Sequence, residues 1–290
     1  MYKQIAANKR NTIIIILIFI ALICLVGGIF AYVWGDWWIE VGVLIIAAAY
    51  ALIQYYAADK IAVAMTGAKE IEKKDNPKLY NAVENLSQTA GLPMPKVCII
   101  DDPAPNAFAT GRDPKHAVVA ATTGLLDIMD KNELEAVIGH EISHIKNYDI
   151  WVSMITFGLV CAVGFISDLG LRMSFYSRRD EDRSPVGAVI LIITAIFAPL
   201  AASLAQLAVS REREYLADAS SVNLTRYPEG MIAALKKLEE HGRPMRRQNA
   251  ATEALYINNP MKKGVISNLF STHPPIEKRI ERLENGKKTF

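Results

Sequence analysis

The sequence predicts a mainly α-helical membrane protein with about four transmembrane or membrane-embedded helices and a small α+β unit of water-soluble character. Three observations carry this. Hydrophobic residues make up 51% of the 290-residue chain and are concentrated in blocks. Four blocks, about 13–33, 41–58, 150–166 and 186–209, are apolar, and roughly 20 apolar helical residues cross the ~30 Å of a bilayer core. The polar stretches between and after them carry helix caps and β-prone runs.

Composition narrows the classes. The 32 basic and 30 acidic residues leave a net charge of +2, so there is no case for nucleic acid as a partner. Cys24, Cys98 and Cys161 are odd in number and form no C-x-x-C pair, which speaks against a disulfide framework or a cysteine metal site and fits a catalytic part facing a reducing space.

Residues 1–59 hold the first two predicted spans. Residues 1–12 carry Lys3, Lys9 and Arg10, and Ile13 to Val33 follows without a charge. A cleaved signal peptide would have an apolar region of about 7–15 residues and a small-residue cleavage site. Here Tyr32, Trp34, Trp37 and Trp38 follow instead, an interfacial aromatic belt. A turn, Gly35 to Glu40, holds Asp36 and Glu40 and no basic residue; these two acids are expected at the interface. Val41 to Ala58 is the second span, followed by Lys60, Lys69, Lys73 and Lys74. The bias of Lys and Arg toward the cytoplasm puts both termini and everything after residue 59 there.

Residues 60–149 form the first part of the soluble unit. Asn76-Pro77 is an N-cap followed by Pro at the first helical position, and the helix stops at Gly91. Lys96 to Ile100 and His116 to Thr122 are β-prone, and Thr123 to Met129 is a short helix. Residues 150–209 are an apolar hairpin, about 150–166 and 186–209. Its loop contains Arg172, Arg178, Arg179 and Arg183 among Asp180, Glu181 and Asp182, so the hairpin either spans or dips into the membrane while packed on protein. Residues 210–290 complete the soluble unit with a helix from Pro228 to Gly242 and a last amphipathic helix from Ile276 to about Leu283.

The chemistry-bearing stretch is His140-Glu141-Ile142-Ser143-His144, an H-E-x-x-H. Asp130 and Glu133 form a capping-box pair ahead of an apolar rhythm at Leu134, Val137, Ile138, Ile142 and Ile145. On a helix, i and i+4 share a face, so His140 and His144 present both imidazoles to one point, as zinc requires. Water on zinc ionises near neutral pH, and Glu141 is placed to take its proton. The bland alternative is a pair of ordinary helix histidines. A catalytic zinc usually has three protein ligands and an open position. Glu214 is a candidate because Asp218 lies four residues on, so one carboxylate can bind metal while the other holds a ligand imidazole. Spacing alone leaves a solvated charged face as an equal reading of this segment.

GHEISHI (139–145) together with SREREYLAD (210–218) resembles the HtpX family of membrane zinc metalloproteases, relatives of the prenyl-protein (CaaX) proteases. The resemblance covers nearly the whole chain and includes the amino-terminal spans, the apolar hairpin and a late His-Pro. It implies a zincin-like (gluzincin) metalloprotease domain in the cytoplasm. It also implies one zinc ion per subunit held by His140, His144 and Glu214, Glu141 as the base, and Asp218 as the aspartate of E-x-x-x-D. The implied role is stress-linked quality control in a bacterial or archaeal inner membrane, with the bilayer and unfolded or membrane proteins as partners. Asn106-Ala107-Phe108 resembles the family's N-A-F stretch, a sheet edge that pairs with substrate backbone. His273 in H-P-P is a candidate oxyanion donor, and Arg211 a candidate for similar work or for pairing with Asp218. Asp149 is expected at a helix end or interface, and His116 and His241 match no motif. The rival functions are a prenyl-protein protease of narrow specificity and a non-catalytic membrane scaffold with a structural metal.

Overall fold

The computed structural model describes residues 35–155, 157–158, 211–248, 252, 255–258 and 274–286, with scattered positions between 6 and 32; the side chains at 39, 51, 54, 55 and 58 are not described. His273 and the apolar run 186–209 therefore lie outside the described residues.

Helix α1 (Trp38–Thr66) has Trp37 as its N-cap, and just ahead of it the Asp36 carboxylate accepts the Trp38 backbone N–H at 2.9 Å. The helix does not stop with the apolar run near residue 58 but continues through Asp59 and Lys60 to Gly67, whose left-handed φ of 75° closes it. Ile61 to Met65 are helix-compatible apolar residues, and Ala62 is fully buried, so packing extends the helix past the charges. Leu44, Ile45, Ile46, Leu52 and Ile53 are exposed along α1. Among the described residues, no helix is long and apolar enough to cross a membrane.

Strand β1 (Lys69–Glu70) leads to α2 (Pro77–Ala90), capped by the Asn76 side chain and ended by Gly91 at φ 71°. Next come β2 (Lys96–Ile100), β3 (Ala107–Thr110) and β4 (Val118–Thr122), in a sheet of order β1-β2-β4-β3. β4 runs parallel to β2 and antiparallel to β3. β4 is shorter than the His116–Thr122 run because Asp113 caps a 3₁₀ turn over Pro114–His116 and draws His116 out of the strand. Helices α3 (Thr123–Ile128) and α4 (Lys131–Lys146) follow, then α5 (Arg211–Thr225), α6 (Pro228–Glu240) and α7 (Ile276–Gly286).

All five residues of β4 are buried, as a central strand covered on both faces must be. One apolar cluster joins Val119 and Ala121 to Leu79, Val83 and Leu86 of α2, to the stripe of α4, and to Met231 and Leu235 of α6. The other joins Val118 and Ala120 to Ala62 of α1, Phe157, Met245 and Tyr256. Helix α4 thus lies in the centre of the α+β unit, packed by α2, α5 and α6.

Candidate metal centre

The start of α4 is locked. The Glu133 N–H donates to the Asp130 carboxylate at 2.9 Å, and the Asp130 N–H donates to the Glu133 carboxylate at 2.7 Å. Lys237 of α6 donates to Glu133 at 2.7 Å and to the Ile128 carbonyl at 2.9 Å, tying a second helix to this cap. Leu134, Val137, Ile138, Ile142 and Ile145 are all fully or almost fully buried, which sets the rotation of α4 and hence the direction of His140 and His144.

Helix α5 approaches α4 closely at Gly139, where a Cβ would lie 2.8 Å from Ser221 Oγ. Ser221 donates to the Ala136 carbonyl at 2.5 Å. Residues 214, 218 and 221 share one face of α5 at helical spacing, so the contact that seats Ser221 also turns Glu214 and Asp218 toward the histidines.

The result is a triangle of donor atoms. His140 Nε2 lies 3.0 Å from His144 Nε2, and the two lie 3.5 and 3.6 Å from the two Glu214 carboxylate oxygens. A tetrahedral zinc with ligand bonds of about 2.1 Å spaces its ligands roughly 3.4 Å apart, so the triangle fits such an ion. The protonation pattern fits too. His140 Nδ1 donates to Asp218 at 2.9 Å and His144 Nδ1 donates to Asp149 at 2.9 Å. With both Nδ1 positions committed to carboxylates, the two Nε2 atoms are left facing each other and Glu214, the positions from which a metal ion would be held. Among the described residues, His140, His144 and Glu214 form the group able to hold a metal ion.

Around these ligands lies a buried charged shell. Arg279 of α7, 1% exposed, grips Asp218 with Nε at 2.8 Å and Nη2 at 2.6 Å and places Nη1 4.0 Å from Glu214. Arg213 approaches Asp149 at 4.0 Å. Burial would push the His140 imidazolium down, but its bonds to Asp218 and Glu214 outweigh this and lift it to about 9. His144 is raised likewise by Asp149 against burial. Burial would push the Asp218 carboxyl up, but Arg279 and His140 hold it below the usual carboxylate range. Arg279 is raised by Asp218, Glu214 and Glu141 despite burial, and Arg213 is lowered by burial. Carboxylates outnumber guanidinium groups here, a balance suited to a bound cation.

Several sequence expectations meet the structure differently. Arg211 is exposed at the start of α5, and the guanidinium that reaches Asp218 is Arg279 instead. Its signal was present, because Arg279 falls inside the apolar stripe Ile276, Ile280 and Leu283 of the last helix. Asp149 is not merely a helix-end residue, since it holds His144. Glu141, next to the first ligand, is 2% exposed. His116 pairs with Asp113 and His241 caps α6 through the Lys237 carbonyl, both away from the triangle in partners and exposure.

Asn106 to Phe108 lie at the sheet edge, where a segment of the same chain meets them. The Ile257 N–H donates to the Ala107 carbonyl at 3.0 Å, and Phe108 bridges Tyr256 antiparallel. The Asn106 side chain accepts from the Asn258 N–H at 3.1 Å and donates to its carbonyl at 2.8 Å.

Comparison with known proteins agrees with this geometry. The model of Peptidase family M48 matches residues 73–287. A Protease HtpX homolog of Tropheryma whipplei (strain Twist) is 54% identical over 285 residues, covering 98% of each chain. A Protease HtpX homolog of Streptococcus gordonii is 48% identical over 297 residues, covering 98% of this chain and 99% of that one. The crystal structure of S. mikatae Ste24p is similar in fold, with a TM-score of 0.53 and 18% identity over 98% of this chain and 67% of that one. The matched stretch runs from before α2 through α7 and so contains the histidine helix, the Glu214 helix and the Arg279 that braces them; the chain is therefore a metalloprotease of peptidase family M48.

Proposed function

We propose that this chain is a membrane-integrated zinc endopeptidase that cleaves misfolded or damaged membrane proteins at the cytoplasmic face of a bacterial or archaeal inner membrane. The observation that carries the reading is the convergence of His140 Nε2, His144 Nε2 and the Glu214 carboxylate within 4.8 Å of one another. These three would hold one zinc ion, which when bound would polarise the scissile carbonyl and acidify the attacking water.

The protein's own groups do the rest. Glu141 takes the proton from the water and hands it to the leaving amine. Asp218 fixes the His140 ring, and Arg279 keeps Asp218 ionised and still. The side chain of His144 is 15% exposed against 1% for His140, so substrate approaches from the His144 side. For the edge at Asn106 to Phe108 to hold an extended peptide by its backbone, residues 256–258, which occupy it here, would have to give way. His273 donates to the oxyanion of the tetrahedral state.

Membrane integration rests on the apolar runs at 13–33, 41–58, 150–166 and 186–209, on the cytoplasmic excess of Lys and Arg, and on the exposed apolar side chains of α1. Because α1 runs on into the soluble unit, the site sits near the bilayer surface, within reach of unfolded stretches of membrane proteins.

Glu141→Gln tests the proposal. The variant should bind about one zinc per chain and lose cleavage of an unfolded protein such as casein. Cleavage at the wild-type rate would remove Glu141 from the mechanism. A wild type that processes a prenylated peptide while leaving unfolded protein intact would point to the narrower protease instead.

A further inference from the structure

We propose that Asp149 is a positioning residue for the metal centre, brought to His144 by a left-handed break in the chain at Tyr148. The inference rests on the reading of His144 as a metal ligand and deepens it.

In an unbroken helix each residue advances about 100°, so a residue five positions on from His144 points well away from it. Helix α4 ends at Lys146, residues 147 and 148 form a turn, and helical structure resumes at 149. Tyr148 has φ 60°, a left-handed conformation that costs a non-glycine residue energy. Such strain persists where the surroundings demand it. Its effect here is to swing Asp149 back so that Oδ2 accepts from His144 Nδ1 at 2.9 Å.

The carboxylate is well built in. Asp149 is 5% exposed, and its Oδ1 faces the Arg213 Nε at 4.0 Å. Arg213 is the neighbour of Glu214, so Asp149 lies between the second histidine and the helix that brings the third ligand. Asp149 does for His144 what Asp218 does for His140: it commits Nδ1 as the donor and turns Nε2 inward. The need is greater at His144. His140 is packed on all sides, whereas the partly exposed His144 ring has room to turn toward solvent once its carboxylate is gone.

The test uses the full-length chain in detergent. Zinc affinity is measured by competition with a chromogenic chelator, alongside the unfolding midpoint of the zinc-free protein and kcat and KM on casein. Asp149→Ala should bind zinc roughly 10–100-fold more weakly, and its zinc-free midpoint should also fall, because it takes the carboxylate from the buried Arg213. At saturating zinc, kcat should fall while KM holds. Asp149→Asn should recover part of the affinity, because its amide oxygen still accepts the Nδ1 hydrogen without the charge. Tyr148→Gly, which adopts the left-handed turn freely, should keep wild-type affinity, while the β-branched Tyr148→Val should resemble Asp149→Ala. If Asp149→Ala does not fold, Asp149→Asn and the two Tyr148 variants carry the test. Wild-type zinc affinity in Asp149→Ala, or equal affinity in Tyr148→Val and Tyr148→Gly, would overturn the proposal. A wild type that binds no zinc would instead sink the metal reading beneath it.

Discussion

Gly139→Ala adds one methyl group between the helices that supply the two halves of the site. The new Cβ would lie 2.8 Å from Ser221 Oγ, 3.4 Å from its Cα and 3.5 Å from its Cβ. Ser221 is fully buried and its hydroxyl is bonded to the Ala136 carbonyl at 2.5 Å, so the hydroxyl cannot turn aside without giving up that bond. Overpacking of this kind costs about 1–3 kcal/mol, and Ala returns about 1 kcal/mol of helix propensity over Gly. With the strained or lost hydrogen bond included, a net destabilisation of about 1–2 kcal/mol is expected. The informative experiment is the double-mutant cycle with Ser221→Ala, read by unfolding of the zinc-free protein in detergent and by zinc affinity. Ser221→Ala alone should cost about 1 kcal/mol. In its background the contacts that remain are 3.4 Å or longer, so Gly139→Ala should become neutral or stabilising. The two changes should therefore couple by about 1–3 kcal/mol. Zinc affinity should fall in Gly139→Ala and return in the double variant, because the spacing of α4 and α5 sets the reach of Glu214. Additive effects, or unchanged affinity in Gly139→Ala, would refute the claim that this contact sets the site.

Other variants probe the remaining supports. Arg279→Met strands the buried Asp218 carboxylate and should destabilise the fold by about 3–5 kcal/mol, and Arg279→Lys should recover only part because it cannot make both bonds of the fork; chemical denaturation distinguishes them. Chelation should abolish casein cleavage and lower the unfolding midpoint, with zinc restoring both; at free zinc 100-fold above Kd the ion should contribute about 2.7 kcal/mol of stability. Asp130→Ala removes the cap of α4 and should cost about 1 kcal/mol with cleavage retained at temperatures where the protein is folded.

What was legible in the sequence was local. Asn76, Asp130, Pro228, Gly91 and the apolar rhythm of α4 mark element ends and faces because caps and 3.6-residue periodicity act over a few positions. The H-E-x-x-H spacing predicts one shared face for the two histidines, and Glu214 with Asp218 does the same on a second helix. Pairings across the chain were less legible. The four residues of β3 are buried throughout, so Ala107 to Thr110 show no alternation to mark a strand. Arg279 reads as one more charge in a helix of charges until the stripe of Ile276, Ile280 and Leu283 is seen to surround it. Asp149 was hidden because helical spacing puts it on the wrong face of α4, and only the backbone break at Tyr148 reverses that.

In the proposed function, two imidazoles from α4 and one carboxylate from α5 meet on a single zinc ion. X-ray absorption at the zinc edge of the loaded, full-length protein measures this directly. The expected result is a shell of about four nitrogen and oxygen atoms at roughly 2.0–2.1 Å, with the outer-shell signature of two imidazoles and no sulfur. A scatterer near 2.3 Å, as from a cysteine thiolate, or the signature of three imidazoles, would contradict it.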